Sequence, residues 1–196
     1  MCGRFQLAIK LEEIIGRYSL LETDVDFSPK NEIFPSNETP VIINEGGRKK
    51  LKIFKWGFTV SFTKRPLINA RRETASIKPT FRDSFFHRRC LIPASGYYEW
   101  KKDEGKSIKY MIRTQEKMFS LGGIYKHFKD SDGNKVDEYT ILTCEAREDI
   151  RYIHERMPLI ISRDYEEMWL NKELKDISSL NSMIPSFNMK LLSEKV

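Results

Sequence analysis

The sequence predicts an α+β fold, a curved, barrel-like, mainly antiparallel sheet flanked by short helices. Two observations carry that expectation. Strand-like segments dominate the middle of the chain. Helical and strand segments show no regular βαβ alternation of the kind that builds a doubly wound parallel sheet.

Taken in order, the first element follows a Met-Cys-Gly-Arg-Phe start. Leu7, Leu11, Ile14, Ile15 and Tyr18 recur at helical spacing and predict an amphipathic helix from Leu7 to Tyr18. Glu22 to Thr39, marked by Pro29 and Pro35 and closed by Pro40, reads as a loop. Val41 to Asn44 and Leu51 to Trp56 read as two strands about a turn at Gly46–Gly47. Ile108 to Arg113 and Met118 to Tyr125 predict a second hairpin, and Glu138 to Thr143 a further strand. Two short helices are expected over Arg147 to His154 and Arg163 to Leu170. Nothing reads as a repeat, a low-complexity tract or a linker. The expectation is a single domain over residues 1–196, its last dozen residues loosely held.

A chain of 196 residues can bury a substantial core, and 40% hydrophobic with 12% aromatic residues suits a globular protein and argues against disorder. No run of about 18 apolar residues suggests a membrane span, and the start lacks a cleavable signal pattern. The protein is therefore expected in the cytoplasm, associated with the nucleoid, and to act as a monomer. Cys2, Cys90 and Cys144 are odd in number and far apart, which favours neither a disulfide framework nor a structural metal. In a reducing compartment each keeps its thiol.

Charge is distributed unevenly. Between Lys64 and Arg89 lie eight basic residues (Lys64, Arg65, Arg71, Arg72, Lys78, Arg82, Arg88, Arg89) against Glu73 and Asp83, so this stretch accounts for the net +6 of the whole chain. Such a patch attracts polyanions. A solvated face with a few ion pairs explains the same composition.

The chemistry starts at Cys2. Once Met1 is removed, this residue carries an α-amine and a thiol on adjacent carbons, with reference pKa values near about 8 and 8.5. An amine condenses with an aldehyde to a Schiff base, and a thiol so placed can close a five-membered thiazolidine on the imine carbon. Three other segments supply polar partners: Asn69 beside Arg71 and Arg72, Glu99 within Gly-Tyr-Tyr-Glu-Trp (96–100), and His154 shortly before Pro158. Singly, each has a structural explanation: a turn cap, an ion pair, a hydrogen-bonded histidine. Together with Cys2 they make a workable set for carbonyl chemistry.

Five segments give these residues a context: Met-Cys-Gly-Arg-Phe (1–5), Trp-Gly-Phe (56–58), Asn-Ala-Arg-Arg-Glu-Thr (69–74), Arg-Cys-Leu-Ile-Pro-Ala-Ser-Gly-Tyr-Tyr-Glu-Trp (89–100) and His-Glu-Arg-Met-Pro (154–158). In these segments, and in their order along nearly the whole chain, the sequence resembles the SOS response-associated peptidase (SRAP) family, whose members process abasic sites. The resemblance implies that Cys2, exposed by loss of Met1, is the crosslinking nucleophile. It also implies that Asn69, Glu99 and His154 are the active-site amide, carboxylate and histidine. Arg4, Trp56, Arg71, Arg72 and Trp100 fall in motifs that hold the DNA strand or shape its channel, with Trp56 a candidate for stacking on a base. The implied partner is single-stranded DNA bearing abasic sites, with no metal or organic cofactor. One segment departs from the pattern. Where the family usually has a Tyr-Asn-Ile-Ala-Pro-like stretch, this chain reads Asn-Glu-Ile-Phe-Pro (31–35), placing Glu32 where an amide would lie near the DNA path.

Three other readings stay open on sequence alone. A cysteine peptidase or amidohydrolase would use Cys2, His154 and Glu99 against an amide. A nucleic-acid binding module would use the basic stretch and no chemistry. A plain structural domain would need its charge only for solubility.

Overall fold

The computed structural model describes residues 2–21, 23–129, 132–176, 180 and 190–196. In chain order the elements are β1 (Arg4–Leu7), α1 (Leu11–Tyr18), β2 (Lys30–Ile33), β3 (Glu38–Glu45), β4 (Arg48–Trp56), β5 (Phe58–Val60), β6 (Thr63–Leu67) and β7 (Asn69–Arg71). There follow α2 (Arg72–Ala75), α3 (Pro79–His87), β8 (Arg89–Ala94), β9 (Gly96–Asp103), β10 (Lys106–Arg113), β11 (Phe119–Lys129) and β12 (Lys135–Glu145). The chain ends with α4 (Glu148–Arg151), β13 (Arg156–Pro158), β14 (Ile160–Ile161), a 3₁₀ turn (Arg163–Tyr165), α5 (Glu166–Leu170) and β15 (Leu192–Lys195). The α+β class is as expected, and the curvature comes from one closure. Strands β12, β4, β3, β8 and β11 pair in that order, and β12 pairs again with β11, so the five form a barrel. All its pairings are antiparallel except β4 with β12.

A second five-stranded sheet runs β15–β10–β9–β1–β2. The chain passes from one sheet to the other at Ser95, between β8 and β9. That corner is tied to the end of β1: the Ser95 amide donates to the Gln6 carbonyl at 2.8 Å, and the Ala8 amide donates to Ser95 Oγ at 3.0 Å. One hydrophobic cluster draws on both sheets, from Phe5, Leu7 and Tyr97 to Val41, Ile92 and Leu121.

Several expected boundaries move, each for a local reason. The first helix starts at Leu11 and not Leu7, because Arg4–Leu7 alternates half-buried and buried residues at period two and pairs with β9 and β2. The loop expected over 22–39 contains strand β2. The expected second hairpin does not exist. β10 pairs with β9 and β15, whereas β11 pairs with β8, β12 and β14 in the barrel. The two strand-like runs are adjacent in sequence, but Thr114–Met118 carries the chain between sheets. The helix over Arg147–His154 shrinks to Glu148–Arg151, and the one over Arg163–Leu170 divides into a 3₁₀ turn and α5. At the carboxyl end, Leu192–Lys195 is paired with Tyr110–Arg113 and so is held by a ladder; residues 181–189 lie outside the described residues.

The hairpin of β5 and β6 stands apart as its own two-stranded sheet. Its entry requires Gly57, whose φ of +116° is left to glycine and where a Cβ would sit 2.7 Å from Pro66 Cβ. Glu138, buried on β12, anchors it by accepting from the Thr59 amide at 2.7 Å and from Thr59 Oγ1 at 2.5 Å, while Lys126 donates to the Thr59 carbonyl.

Candidate active site

β12 organises the site. Its last residues carry β7 along one edge, with Thr143 opposite Arg71, and β13 along the other, with Thr143 opposite Pro158. Segments 69–74 and 154–158, remote in sequence, thus flank one strand end. Across this junction Arg156 forms a two-pronged ion pair with Glu73, at 2.8 and 2.9 Å, and donates to the Thr143 carbonyl at 2.7 Å.

Asn69 reaches from β7 to the amino-terminal segment, its Nδ2 donating to the Cys2 carbonyl at 2.7 Å. Cys2 itself is fully buried. Its thiol contacts the Arg4 carbonyl at 3.7 Å, and burial, with the negative charge of Glu99 adding to it, pushes its pKa up to about 12. Glu99 is 3% exposed on β9. Because alternate strand residues share a face, Tyr97 and Glu99 point one way, and Tyr98 and Trp100 the other. Sequence-expected Cys2, Asn69 and Glu99 therefore meet in one buried place. His154 is half-buried just before β13, and its Nδ1 accepts the Arg156 amide at 2.9 Å, which assigns the proton of a neutral ring to Nε2. Met1 lies outside the described residues.

The outer face of β9 gathers Arg4. Its guanidinium lies over Phe34 at 4.4 Å and over Trp100 at 5.1 Å, and pairs with Glu32 at 3.3 Å. Lys109 also donates to Glu32, and these two cations hold the Glu32 carboxyl below the usual carboxylate range. The departure noted at position 32 thus places an acid directly on the arginine expected to grip phosphate. Arg71 is exposed and Arg72 half-buried at the start of α2.

Two sequence expectations fail here. Trp56 is fully buried, donates its indole N–H to the Ile68 carbonyl at 2.9 Å and packs edge-on against Phe5 at 5.2 Å. It cannot stack on a base. The basic stretch also loses a member: Arg89 is buried and donates to the carbonyls of Phe85, Trp169 and Leu174, a helix-end clamp for which burial lowers its pKa to about 10. Arg88 pairs with Asp83. Lys64, Arg65, Arg71, Lys78 and Arg82 remain exposed.

Sequence reading also passed over Phe62. It is 71% exposed at the tip of the β5–β6 hairpin, beside Lys64 and Arg65. An aromatic between two short polar-flanked strands was the available signal. Among the described residues no group of three His, Cys, Asp or Glu side chains is arranged to hold a metal ion, and no helix is long and apolar enough to cross a membrane.

Buried thiols make a pH prediction. An unfolded chain ionises its cysteines near pH 9, whereas folded Cys2 and Cys144 hold their protons to about 12 and 11. Because the folded pKa values are raised, this stabilisation is complete below pH 9 and is lost as the pH climbs toward 11–12. Each thiol gives up about 1.4 kcal/mol per pH unit in that window. Urea midpoints should hold from pH 7 to 8.5 and then fall steadily; a midpoint unchanged at pH 10.5 would contradict the burial described.

Comparison with known proteins adds the following. Residues 1–196 match the family model described as SOS response associated peptidase (SRAP). The chain is 33% identical to the abasic site processing protein YoqW of Bacillus subtilis over 96% of its own length and 88% of that protein's. It is 26% identical to the abasic site processing protein YedK of Escherichia coli, over 89% of this chain and 81% of that one. A crystal structure of a protein from Bacteroides thetaiotaomicron superposes with a TM-score of 0.88 at 24% identity, covering 100% of this chain and 92% of that one, and so shares its fold.

Proposed function

The chain belongs to the SOS response associated peptidase family, and from that premise we propose that it binds single-stranded DNA and captures the aldehyde of an abasic site on Cys2. One observation carries the reading. The residue that would become the terminus is held by Asn69 through its carbonyl, and its thiol sits within reach of the charge of buried Glu99. The relatives named as abasic site processing proteins support the same substrate class.

The chemistry proceeds in three steps. After Met1 is removed, the α-amine of Cys2 adds to C1′ of the ring-opened sugar. Loss of one water gives an imine. The thiol then adds across the C=N bond, its sulfur to carbon and its proton to nitrogen, and the ring closes as a thiazolidine. Glu99 moves protons during sugar ring opening and dehydration. His154 serves as a second proton shuttle, with Nε2 as the donating nitrogen. The bond from Asn69 to the Cys2 carbonyl makes it an anchor for the terminus. Arg4, Arg71 and Arg72 contact phosphates, Trp100 backs the Arg4 guanidinium, and Phe62 takes the stacking role first expected of Trp56. The whole chain acts as one domain and one copy on the strand.

The reading differs from a cysteine peptidase in its first attack: the α-amine of Cys2 adds to an aldehyde, and the thiol follows only to close the ring.

The test uses a single-stranded oligonucleotide with one enzymatically generated abasic site. Intact mass should show protein without Met1 joined to the strand with loss of one water, stable to denaturing electrophoresis. A tetrahydrofuran analogue, which has no aldehyde, should give no adduct. Processed protein that leaves the abasic strand unmodified would sink the proposal.

A further inference from the structure

Beside the residues used so far, the surroundings of Cys2 hold a polar group with no role. Tyr97 is fully buried, and among the described residues its hydroxyl has no hydrogen-bond partner. It stands two residues before Glu99 on β9, on the same face of that strand. Burial, with the neighbouring Cys2 and Glu99 adding to it, holds its proton well above the ordinary tyrosine range. It is therefore a permanent donor at working pH. A second buried atom beside Cys2 is unmatched among the described residues: Asn69 Oδ1 has no partner, although Nδ2 of the same amide is committed to the Cys2 carbonyl. An unmatched buried hydroxyl is costly, and the sheet could have carried phenylalanine at position 97 with the same packing. A donor and an acceptor that both neighbour Cys2 fit a ligand group that both accepts and donates.

We propose that Tyr97 is a further substrate-binding residue, its hydroxyl donating to the C4′ hydroxyl of the ring-opened abasic sugar while Asn69 Oδ1 accepts from that same group. Opening of the sugar converts the ring oxygen into this hydroxyl at the moment the aldehyde appears at C1′, so the pair recognises the reactive form and not the closed ring. The contact holds C1′ toward the Cys2 amine and disfavours reclosure. This rests on the crosslinking function proposed above.

The test is Tyr97→Phe, compared with wild type in three measurements. Crosslinking to the abasic strand should slow about five- to tenfold, the loss expected of one neutral hydrogen bond. Binding to the tetrahydrofuran strand, which cannot open, should be unchanged. The melting temperature should not fall, and should rise by about 2–4 °C where the unmatched hydroxyl is unrelieved in the free protein. A variant that crosslinks at the wild-type rate overturns the proposal. So does one that loses crosslinking, tetrahydrofuran binding and melting temperature together, since that marks a structural role. If wild type itself forms no adduct, the crosslinking function fails and takes this inference with it, a result distinct from equal rates in the two proteins.

Discussion

Replacing Cys2 with alanine should abolish the denaturation-resistant adduct while leaving the first covalent step in place. Alanine is small, so Met1 can still be removed, and the new terminus carries the same α-amine. That amine adds to the aldehyde and dehydrates to an imine, but no sulfur is present to close the ring. An imine left open hydrolyses, and denaturing electrophoresis then shows free protein and free strand. Borohydride added during the incubation reduces the imine to a secondary amine, and a crosslink of nearly the same mass reappears. The variant should fold, because exchanging a buried cysteine for alanine removes one sulfur from the core and costs about 1 kcal/mol. The pattern expected is thus a stable adduct in wild type with or without borohydride, and in Cys2→Ala an adduct only when borohydride is present. A stable adduct from Cys2→Ala without borohydride would place the nucleophile elsewhere; absence even with borohydride would mean the amine is not the first attacker.

Legibility in the sequence followed the physics of each element. The strands β3, β4, β10, β11 and β12 were readable because each holds a run of alternating or continuous apolar residues. Pairing was not readable, since β10 and β11 are neighbours in sequence but belong to different sheets. The closure of β12 on β11 and β4 depends on long-range register that no local pattern encodes. Cys2, Asn69 and Glu99 were legible as a set through their motifs, and the structure brings them together. What the motifs concealed was the division of labour among similar side chains. Arg89 and Arg82 carry the same charge in one basic stretch, yet one clamps helix-end carbonyls in the interior and the other faces solvent. Tyr97 escaped notice because, beside Tyr98 and Trp100, it looked like one more aromatic; only the strand's two-residue period separates the inward pair from the outward one.

The tryptophan in the Trp-Gly-Phe segment brings that lesson to a measurement, because Trp56 and Phe62 offer two aromatics for one role. Trp56 fills the core between Phe5 and Tyr139, with ring centroids 5.2 and 6.4 Å away, and its indole N–H satisfies the Ile68 carbonyl just before β7. Trp56→Ala removes a large buried side chain and one of the two donors to that carbonyl, the other being the Ile141 amide at 3.1 Å, so it should destabilise the fold by about 3–5 kcal/mol. Much of a typical domain's stability would go with it. Any loss of DNA binding should then track unfolding, and vanish when measured on the folded fraction at low temperature. Phe62→Ala removes an exposed ring and should change stability by no more than about 0.5 kcal/mol. Because one base–aromatic stack is worth about 1–3 kcal/mol, the same change should weaken binding to single-stranded DNA by about five- to a hundredfold, with the adduct still forming at saturating strand. Denaturant midpoints and binding isotherms for the two variants should therefore move in opposite pairs. If Phe62→Ala binds as wild type does, the hairpin tip is not a stacking platform, whatever its exposure. If Trp56→Ala keeps wild-type stability, the indole is not the keystone of the contact between β1, β4 and β12.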